Sequence, residues 1–407
     1  MSLSKDKIRI LLLEGVHPRA VAVLEEAGYH NLDVRSASLT GDELRHSLEP
    51  AHFVGIRSRT QLDAQVLAAA PRLNAVGCFC IGTNQVDLEA AQLQGVPVFN
   101  APFSNTRSVA ELVLAEVVML MRGVPQRNAA AHRGHWLKSA SGSHEIRGKT
   151  LGIIGYGHIG TQLGVLAEAL GMQVIYFDIA EKLPLGNASA CPSLTNLLRR
   201  ADVVSLHVPQ TELTEKMIGH EELNSMRQDS FLINASRGSV VDIDALADAL
   251  DRGHLAGAAI DVFPSEPKSN QDIFESRLRG MDQVLLTPHV GGSTEEAQQN
   301  IAQEVASKLV RYSDNGSTLS AVNFPEVAMP DLAGRRRILH IHRNEPGVLQ
   351  GVNRVFSEHD ANIASQYLQT RDRIGYVVMD IETDEPPEDL LAELGEVPGT
   401  IRTRVLY

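Results

Sequence analysis

The sequence predicts an α/β protein, and three features carry that prediction. Short apolar runs alternate with stretches of helical spacing from Ile8 to Tyr312, the pattern of a parallel sheet covered by helices. A strand, a glycine-rich turn, a helix and a second strand follow one another without interruption from Leu151 to Asp178. The C-terminal stretch, about 70 residues and enough for a small domain, reads β-α-β-β-α-β, a ferredoxin-like plan whose sheet is antiparallel with edges open to a second copy.

At mid-chain, Leu151-Gly152-Ile153-Ile154 enters Gly155-Tyr156-Gly157-His158-Ile159-Gly160, which opens into a helix over 161–170. The run Gln173-Val174-Ile175-Tyr176-Phe177 then ends on Asp178, 18 residues after Gly160. This is the context a Gly-x-Gly-x-x-Gly dinucleotide fingerprint requires. Gly155 permits the tight turn, Gly157 lets a pyrophosphate approach the backbone, and Gly160 lets the helix lie against the strand. The free N–H groups and positive dipole end of that helix hold the phosphates. Asp178 accepts both ribose hydroxyls of an adenosine and repels a 2′-phosphate, so the expected cofactor is NAD rather than NADP.

Ahead of the fingerprint, strands are expected at 8–13, 53–56, 73–79 and 96–100. A helix over 18–27 has Pro18 in its first turn and Gly28 past its end. A long apolar helix spans 105–121. Residues 124–148 then hold Trp136, the only tryptophan, among small and polar residues. Such an arm either docks on a partner subunit or packs Trp136 on its own chain.

Beyond the fingerprint, strands are expected at 202–209, 231–234, 258–263 and 284–286, with a helix over 246–250. Arg237, Glu266 and His289 each follow one of these strands closely. Ligands of open α/β sheets bind beyond the carboxyl ends of the strands, which is the reason to group the three. A helix over 295–312 leads to a turn cluster at 313–317, and Pro325, Pro330 and Gly334 mark 319–334 as a linker. In the tail, strands are expected at 337–342, 363–369, 376–382 and 401–406, and helices at 347–358 and 387–394.

With 407 residues, 43% of them hydrophobic, the chain has material for two or three cores. A formal net charge of −13 argues against a general binder of nucleic acid or anionic membrane, while allowing one local basic pocket for an anionic metabolite. Cys78, Cys80 and Cys191 are odd in number and match no zinc spacing, so reduced thiols and no metal are expected. No run of about 20 apolar residues occurs, and the first seven residues lack a signal peptide's apolar stretch. A cytoplasmic protein is expected.

The grouped residues have complementary chemistry. A hydride leaves a carbinol carbon only if a base takes the hydroxyl proton, and a histidine serves in both directions. His289, between Pro288 and two glycines, is the candidate. A carboxylate orients such a base and stabilises its imidazolium, the role open to Glu266. A guanidinium binds a substrate carboxylate through two parallel bonds, the role open to Arg237.

Asn234-Ala235-Ser236-Arg237-Gly238, Asp261-Val262-Phe263-Pro264-Ser265-Glu266-Pro267 and Thr287-Pro288-His289-Val290-Gly291-Gly292 resemble the D-2-hydroxyacid dehydrogenases. So do Arg57-Ser58-Arg59-Thr60, the stretch from Cys78 to Asp87, Asn100 to Glu111 and Tyr312 to Thr318. The resemblance covers essentially the whole chain and is nearest to the branch that oxidises 3-phospho-D-glycerate and ends in an ACT domain. It implies a Rossmann-type nucleotide-binding domain, residues 106–294, inserted in a flavodoxin-like substrate-binding domain formed by 1–105 and 295–330. A C-terminal βαββαβ ACT domain, 335–407, completes the expected plan.

By the same resemblance, His289 is the proton donor and acceptor, Glu266 its partner and Arg237 the carboxylate binder. His158, Ile159, Asp178, Ala235, Ser236, Arg237, Asp261, His289, Val290, Gly291 and Gly292 line the NAD site. The substrate phosphate needs cations: Arg57 leads, with Ser58, Arg59, Asn105 and Lys138 behind it. Some relatives carry a lysine where Ser36 stands, and Arg35 is a substitute. His342, Asn344 and Asn362 match positions expected to hold L-serine as effector, with Asn344 just before a helix start. A homotetramer and a side activity on 2-oxoglutarate/2-hydroxyglutarate are also implied. Two further readings stay open: a reductase of another 2-hydroxy acid, and a non-catalytic NAD sensor on the same fold.

Overall fold

A computed structural model describes residues 4–267, 271–331, 336–382 and 388–406. The chain forms two compact units, Met1–Ser104 with Gln298–Tyr407, and Asn105–Ala297.

The first unit begins with β1 (Ile10–Leu12), α1 (Pro18–Glu26), β2 (Leu32–Val34), α2 (Gly41–Leu48), β3 (Phe53–Ile56), α3 (Ala64–Ala68), β4 (Ala75–Cys78), α4 (Leu88–Leu93) and β5 (Val98–Phe99). The strands are parallel in the order β2-β1-β3-β4-β5, the flavodoxin-like order. The sequence reading passed over β2 and α2–α4. β2 has three residues, none of them buried, while α3 and α4 have five and six, too short to show a period.

The second unit opens with α5 (Thr106–Met121) and α6 (Val124–His132). Its sheet follows through β6 (Thr150–Ile154), α7 (His158–Ala169), β7 (Gln173–Phe177), β8 (Ser189–Ala190), α8 (Leu194–Arg200), β9 (Val203–Leu206), α9 (His220–Ser225), β10 (Ser230–Asn234), α10 (Ile243–Asp251), β11 (Leu255–Ile260) and β12 (Val284–Leu286). All seven strands are parallel, in the order β12-β11-β10-β9-β6-β7-β8. Read from β8, this is the doubly wound nucleotide-binding order with one strand added, and its switch point lies between β6 and β9. The arm expected over 124–148 is helical for its first nine residues. Trp136 is 86% exposed, so it does not pack on its own chain.

The chain returns to the first unit through α11 (Glu295–Asn315). This helix continues through Ser313-Asp314-Asn315, expected to be a turn. Lys5 Nζ and Tyr29 Oη both donate to Asp314, at 2.8 and 2.5 Å, and Gly316 ends the helix at φ 76°. Tertiary partners override the local turn propensity here. The expected linker is also corrected. Ala321, Phe324, Val327 and Met329 are buried, and Asn323 bonds the backbone of both Val96 and Val98. Residues 319–331 are thus built into the first unit, and 332–334 lie outside the described residues.

The tail comprises β13 (Arg336–Arg343), α12 (Val348–Glu358), β14 (Ile363–Arg371), β15 (Ile374–Ile381), α13 (Glu388–Glu396) and β16 (Thr400–Leu406). Its antiparallel order is β14-β15-β13-β16. One face packs Ile338, Val377 and Met379 against Val352, Phe356 and Leu394 of the helices. The other sends Leu339, Ile341 and Tyr376 into a core shared with Phe53 and Phe99 of the first sheet and Val305, Leu309 and Tyr312 of α11. Arg337, 1% exposed, fixes that junction. It bonds Asp380 at 2.6 and 2.9 Å and donates to the carbonyls of Asn315 and Pro330. Such a buried guanidinium is tolerable only because its donors are satisfied.

Candidate active site

The fingerprint glycines differ in what surrounds them. Gly155 has φ +90°, and a side chain there would strike the backbone of His207. At Gly160 a methyl group would strike Gly155 O, so helix and turn touch backbone to backbone. At Gly157, the residue before α7, a Cβ would meet nothing within 4 Å. Open space at the start of a twelve-residue helix, with glycines on both sides of the turn, is what a pyrophosphate requires. Asp178, at the end of β7, accepts from Tyr156 N and Ala180 N, both at 2.9 Å. Its carboxylate is thereby fixed beside the turn with each oxygen retaining a lone pair. His158 and Ile159 open α7. The residues present fit a dinucleotide.

Three loops at the carboxyl ends of β10, β11 and β12 carry the reactive groups. Asn234 closes β10 and turns back on its own loop, accepting from Ser236 N at 3.1 Å and Ser236 Oγ at 2.8 Å and donating to Arg237 O at 3.1 Å. This local turn presents Ala235, Ser236 and Arg237 in sequence. A side chain at Gly238 would collide with the Phe263 carbonyl, so the loop after β10 lies directly on the loop after β11. The latter is braced by Phe263 N, which donates to Glu266 Oε1 at 3.2 Å.

His289 Nδ1 lies 2.9 Å from the other oxygen, Glu266 Oε2. The Glu266 bond raises the histidine pKa above its ordinary value, against burial, which lowers it. Burial pushes the Glu266 carboxyl up, but the His289 bond, the Phe263 N–H and the charges of His289 and Arg237 bring it below the ordinary value. Arg237 acts electrostatically on both partners. The three candidates are brought together within one unit.

His289 has φ 53°, a left-handed conformation rare for a residue with a side chain. Asp261 holds it there. Buried at 2% exposure, it accepts from Val290 N at 2.8 Å, Gly291 N at 2.9 Å and Thr287 Oγ1 at 2.6 Å. Asp261 O accepts from His289 N at 2.8 Å. Asp261, grouped by sequence with the NAD-lining residues, is thus engaged in shaping the histidine loop. Gly292 abuts the Asn105 amide, with no room for a side chain between them.

The phosphate candidates divide between the units. Arg57, Ser58 and Arg59 follow β3 in the first. Their loop is organised by Glu14, 3% exposed, which accepts from the backbone N–H of Arg57, Arg59 and Thr60. Burial raises the Glu14 pKa, and those bonds bring it below the ordinary value. Arg57 also donates to Gln298 at 2.9 Å. Asn105 precedes α5 and Lys138 lies in the exposed stretch after α6, both in the second unit. Arg35 is corrected as a substitute. Its guanidinium bonds both oxygens of Asp33, at 3.1 and 2.9 Å, and Ser47 Oγ at 3.1 Å. The sequence reading missed Glu14 and Asn234, although a carboxylate before Gly15 and an asparagine closing a strand are signals of loop-holding groups.

In the tail, His342 is buried beside His340, with Nδ1 atoms 3.3 Å apart, and Asn344 is exposed just past the end of β13. Asn362 lies before β14, where its amide donates to Glu382 at 2.7 Å. The register pairs Arg343 with Ile374 and Ile363 with Ile381. One chain therefore places Asn344 and Asn362 at opposite ends of the sheet.

Residues 114–291 match the family of D-isomer specific 2-hydroxyacid dehydrogenases, NAD binding domain, and residues 338–402 match an AHAS small subunit-like ACT domain. The chain belongs to the D-isomer specific 2-hydroxyacid dehydrogenase family and is an NAD-dependent oxidoreductase. Among its relatives, D-3-phosphoglycerate dehydrogenase of Escherichia coli (strain K12) is 61% identical over 408 residues, covering 100% of this chain and 99% of that one. The enzyme of the same name from Haemophilus influenzae is 60% identical over 407 residues, with the same coverage. The NAD-complexed D-isomer specific 2-hydroxyacid dehydrogenase of Lactobacillus delbrueckii ssp. bulgaricus superposes with a TM-score of 0.68 at 27% identity, over 77% of this chain and 100% of that one.

Proposed function

We propose that the protein oxidises 3-phospho-D-glycerate to 3-phosphohydroxypyruvate with NAD, the entry to L-serine synthesis, and runs the reverse reduction. The observation that carries this reading is the 61% identity along the whole chain to an enzyme named for that substrate. NAD bound at the Gly157 turn supplies the hydride acceptor. Arg237 grips the substrate carboxylate through paired N–H groups. With His289 Nδ1 engaged by Glu266, the other ring nitrogen takes the C2 hydroxyl proton. Glu266 then stabilises the imidazolium. Arg57 is the principal phosphate ligand, aided by Ser58, Arg59, Asn105 and Lys138. Substrate binding, cofactor binding and regulation fall to residues 1–105 with 295–330, 106–294, and 335–407.

L-serine is the proposed effector. Antiparallel side-by-side pairing of two β14 edges would set Asn362 of one protomer against His342 and Asn344 of the next. The exposed Trp136 arm is a second docking element, and the two pairings together build a cytoplasmic homotetramer. NADH consumption with phosphohydroxypyruvate, with and without L-serine, tests the reading. Turnover that exceeds that with hydroxypyruvate and falls with serine is expected. No turnover with any 2-oxo acid despite NADH binding would favour the sensor reading.

A further inference from the structure

The first unit contains a cavity of about 990 Å³ where the outer strand of the tail faces the first sheet. Its described lining carries Lys5, Lys7, Arg72, Arg402 and Arg404 against two carboxylates, Asp314 and Asp331. In a chain of net charge −13, this local excess of positive charge calls for a reason.

Part of it is internally satisfied. Lys5 pairs with Asp314 at 2.8 Å, and Tyr29 Oη donates to the other Asp314 oxygen at 2.5 Å. Arg402 donates to the carbonyl oxygens of Leu73 and Pro71 and to Asn74 Oδ1. Arg404 is not so placed. Its Nη1 is shut off from solvent with no acceptor among the described residues, and its guanidinium carbon stands 5.2 Å from the centre of the buried Tyr312 ring. A buried donor left without an acceptor costs stability unless a ligand supplies one. His52 also lines the cavity; its Nδ1 accepts from Arg9 N at 3.0 Å, leaving the other ring nitrogen as a donor. Both Arg72 and Arg404 act on His52 electrostatically, so the two guanidinium groups share one region.

We infer that this cavity binds a phosphate group, free or as the ester of a small metabolite, between Arg72, Arg404 and the His52 ring. The planar N–H forks of two arginines suit phosphate oxygens, and the volume exceeds what inorganic phosphate alone fills, within the range of metabolite pockets. The site is separate from Asn344 and from the Arg57 loop. Its residues come from the first sheet's connections and from β16, so the ligand would clamp the tail to that sheet. The inference does not depend on which 2-hydroxy acid the enzyme oxidises.

The test uses the full chain saturated with NADH and follows the thermal unfolding midpoint. The probes are inorganic phosphate and glycerol 3-phosphate, with sodium chloride at matched ionic strength as the control. Both probes should raise the midpoint above the chloride control in the wild type and in Arg57→Met. In the Arg57→Met background, where the active-site phosphate ligand is gone, the rise should disappear on adding Arg404→Met or Arg72→Met; Arg72 is exposed, so its replacement leaves the fold intact. A larger shift with the ester assigns the ester, and an equal shift assigns the phosphate group alone. The same rise in Arg57→Met with and without Arg72→Met or Arg404→Met added, or a rise that vanishes in Arg57→Met alone, would overturn the site.

Discussion

His289 Nδ1 and Glu266 Oε2 are 2.9 Å apart, across a turn that holds the histidine at φ 53°. The carboxylate raises the imidazole pKa above its ordinary value. Alcohol oxidation needs neutral imidazole, so its rate should climb as pH rises through that raised value. Ketone reduction needs imidazolium and should fall over the same interval. Glu266→Gln removes the charge that favours the imidazolium, so both transitions should move to lower pH. Profiles of kcat/KM against pH in the two directions check this, and superimposable profiles for wild type and variant would remove Glu266 from the mechanism.

His289→Ala should lower turnover by about 10²–10⁴-fold, the usual worth of a positioned general base. The backbone of the loop is held by Asp261 rather than by the imidazole, so NADH affinity should persist. Stopped-flow turnover and NADH fluorescence titration separate the two effects. Unaltered turnover would transfer the proton to another group.

Two fingerprint glycines should fail in different ways. Gly157→Val adds a side chain where the protein offers no obstacle within 4 Å. The variant should fold with an unchanged unfolding midpoint and lose NADH affinity, because the added atoms occupy the phosphate's approach. Gly160→Val sets its side chain against Gly155 O. It should lose stability by about 1–3 kcal/mol, the cost of overpacking. Calorimetry without ligand and NADH titration of each variant distinguish these effects; equal loss of stability in both would contradict the separate roles.

Those glycines were legible in the sequence because each acts within its own turn. Arg237, Glu266 and His289 were legible because strand ends in an α/β sheet converge and their chemistries are complementary. What escaped depends on distant partners. The Arg35–Asp33 pairing is the local exception, two residues apart around a strand of three residues that the sequence does not mark; the prolines of 319–331 read alike whether the segment swings freely or, as here, buries Phe324 and Val327. The inward use of Asp261 was hidden for the same reason: its acceptors meet donors that lie 26 to 30 residues away.

Glu116, in α5, is 2% exposed, and neither carboxyl oxygen has a partner among the described residues. Burial, aided by the charge of Asp261, pushes its pKa up to about 8. The unfolded chain releases this proton near the ordinary carboxylate value, whereas the folded chain keeps it until about pH 8. Between those limits, rising pH favours unfolding. The Glu116→Gln variant lacks this proton, so its stability advantage over wild type should grow from about pH 5 to pH 8 and then level. Parallel midpoint-against-pH curves for the two proteins would show that the carboxyl ionises equally in both states.

Asn344 and Asn362 stand at opposite ends of one ACT sheet, so a serine site that uses both must draw them from two chains. Asn344→Ala and Asn362→Ala should each abolish most inhibition by L-serine while leaving turnover without serine unchanged. In a pair formed from one chain of each kind, one site carries both substitutions and the other carries none. Mixing the two variants, dissociating them and allowing them to reassemble should therefore restore a fraction of the serine inhibition that neither parent shows. Serine titration of the reassembled mixture reads this directly. A mixture as insensitive as its parents would mean that each site lies within a single chain or that serine binds elsewhere.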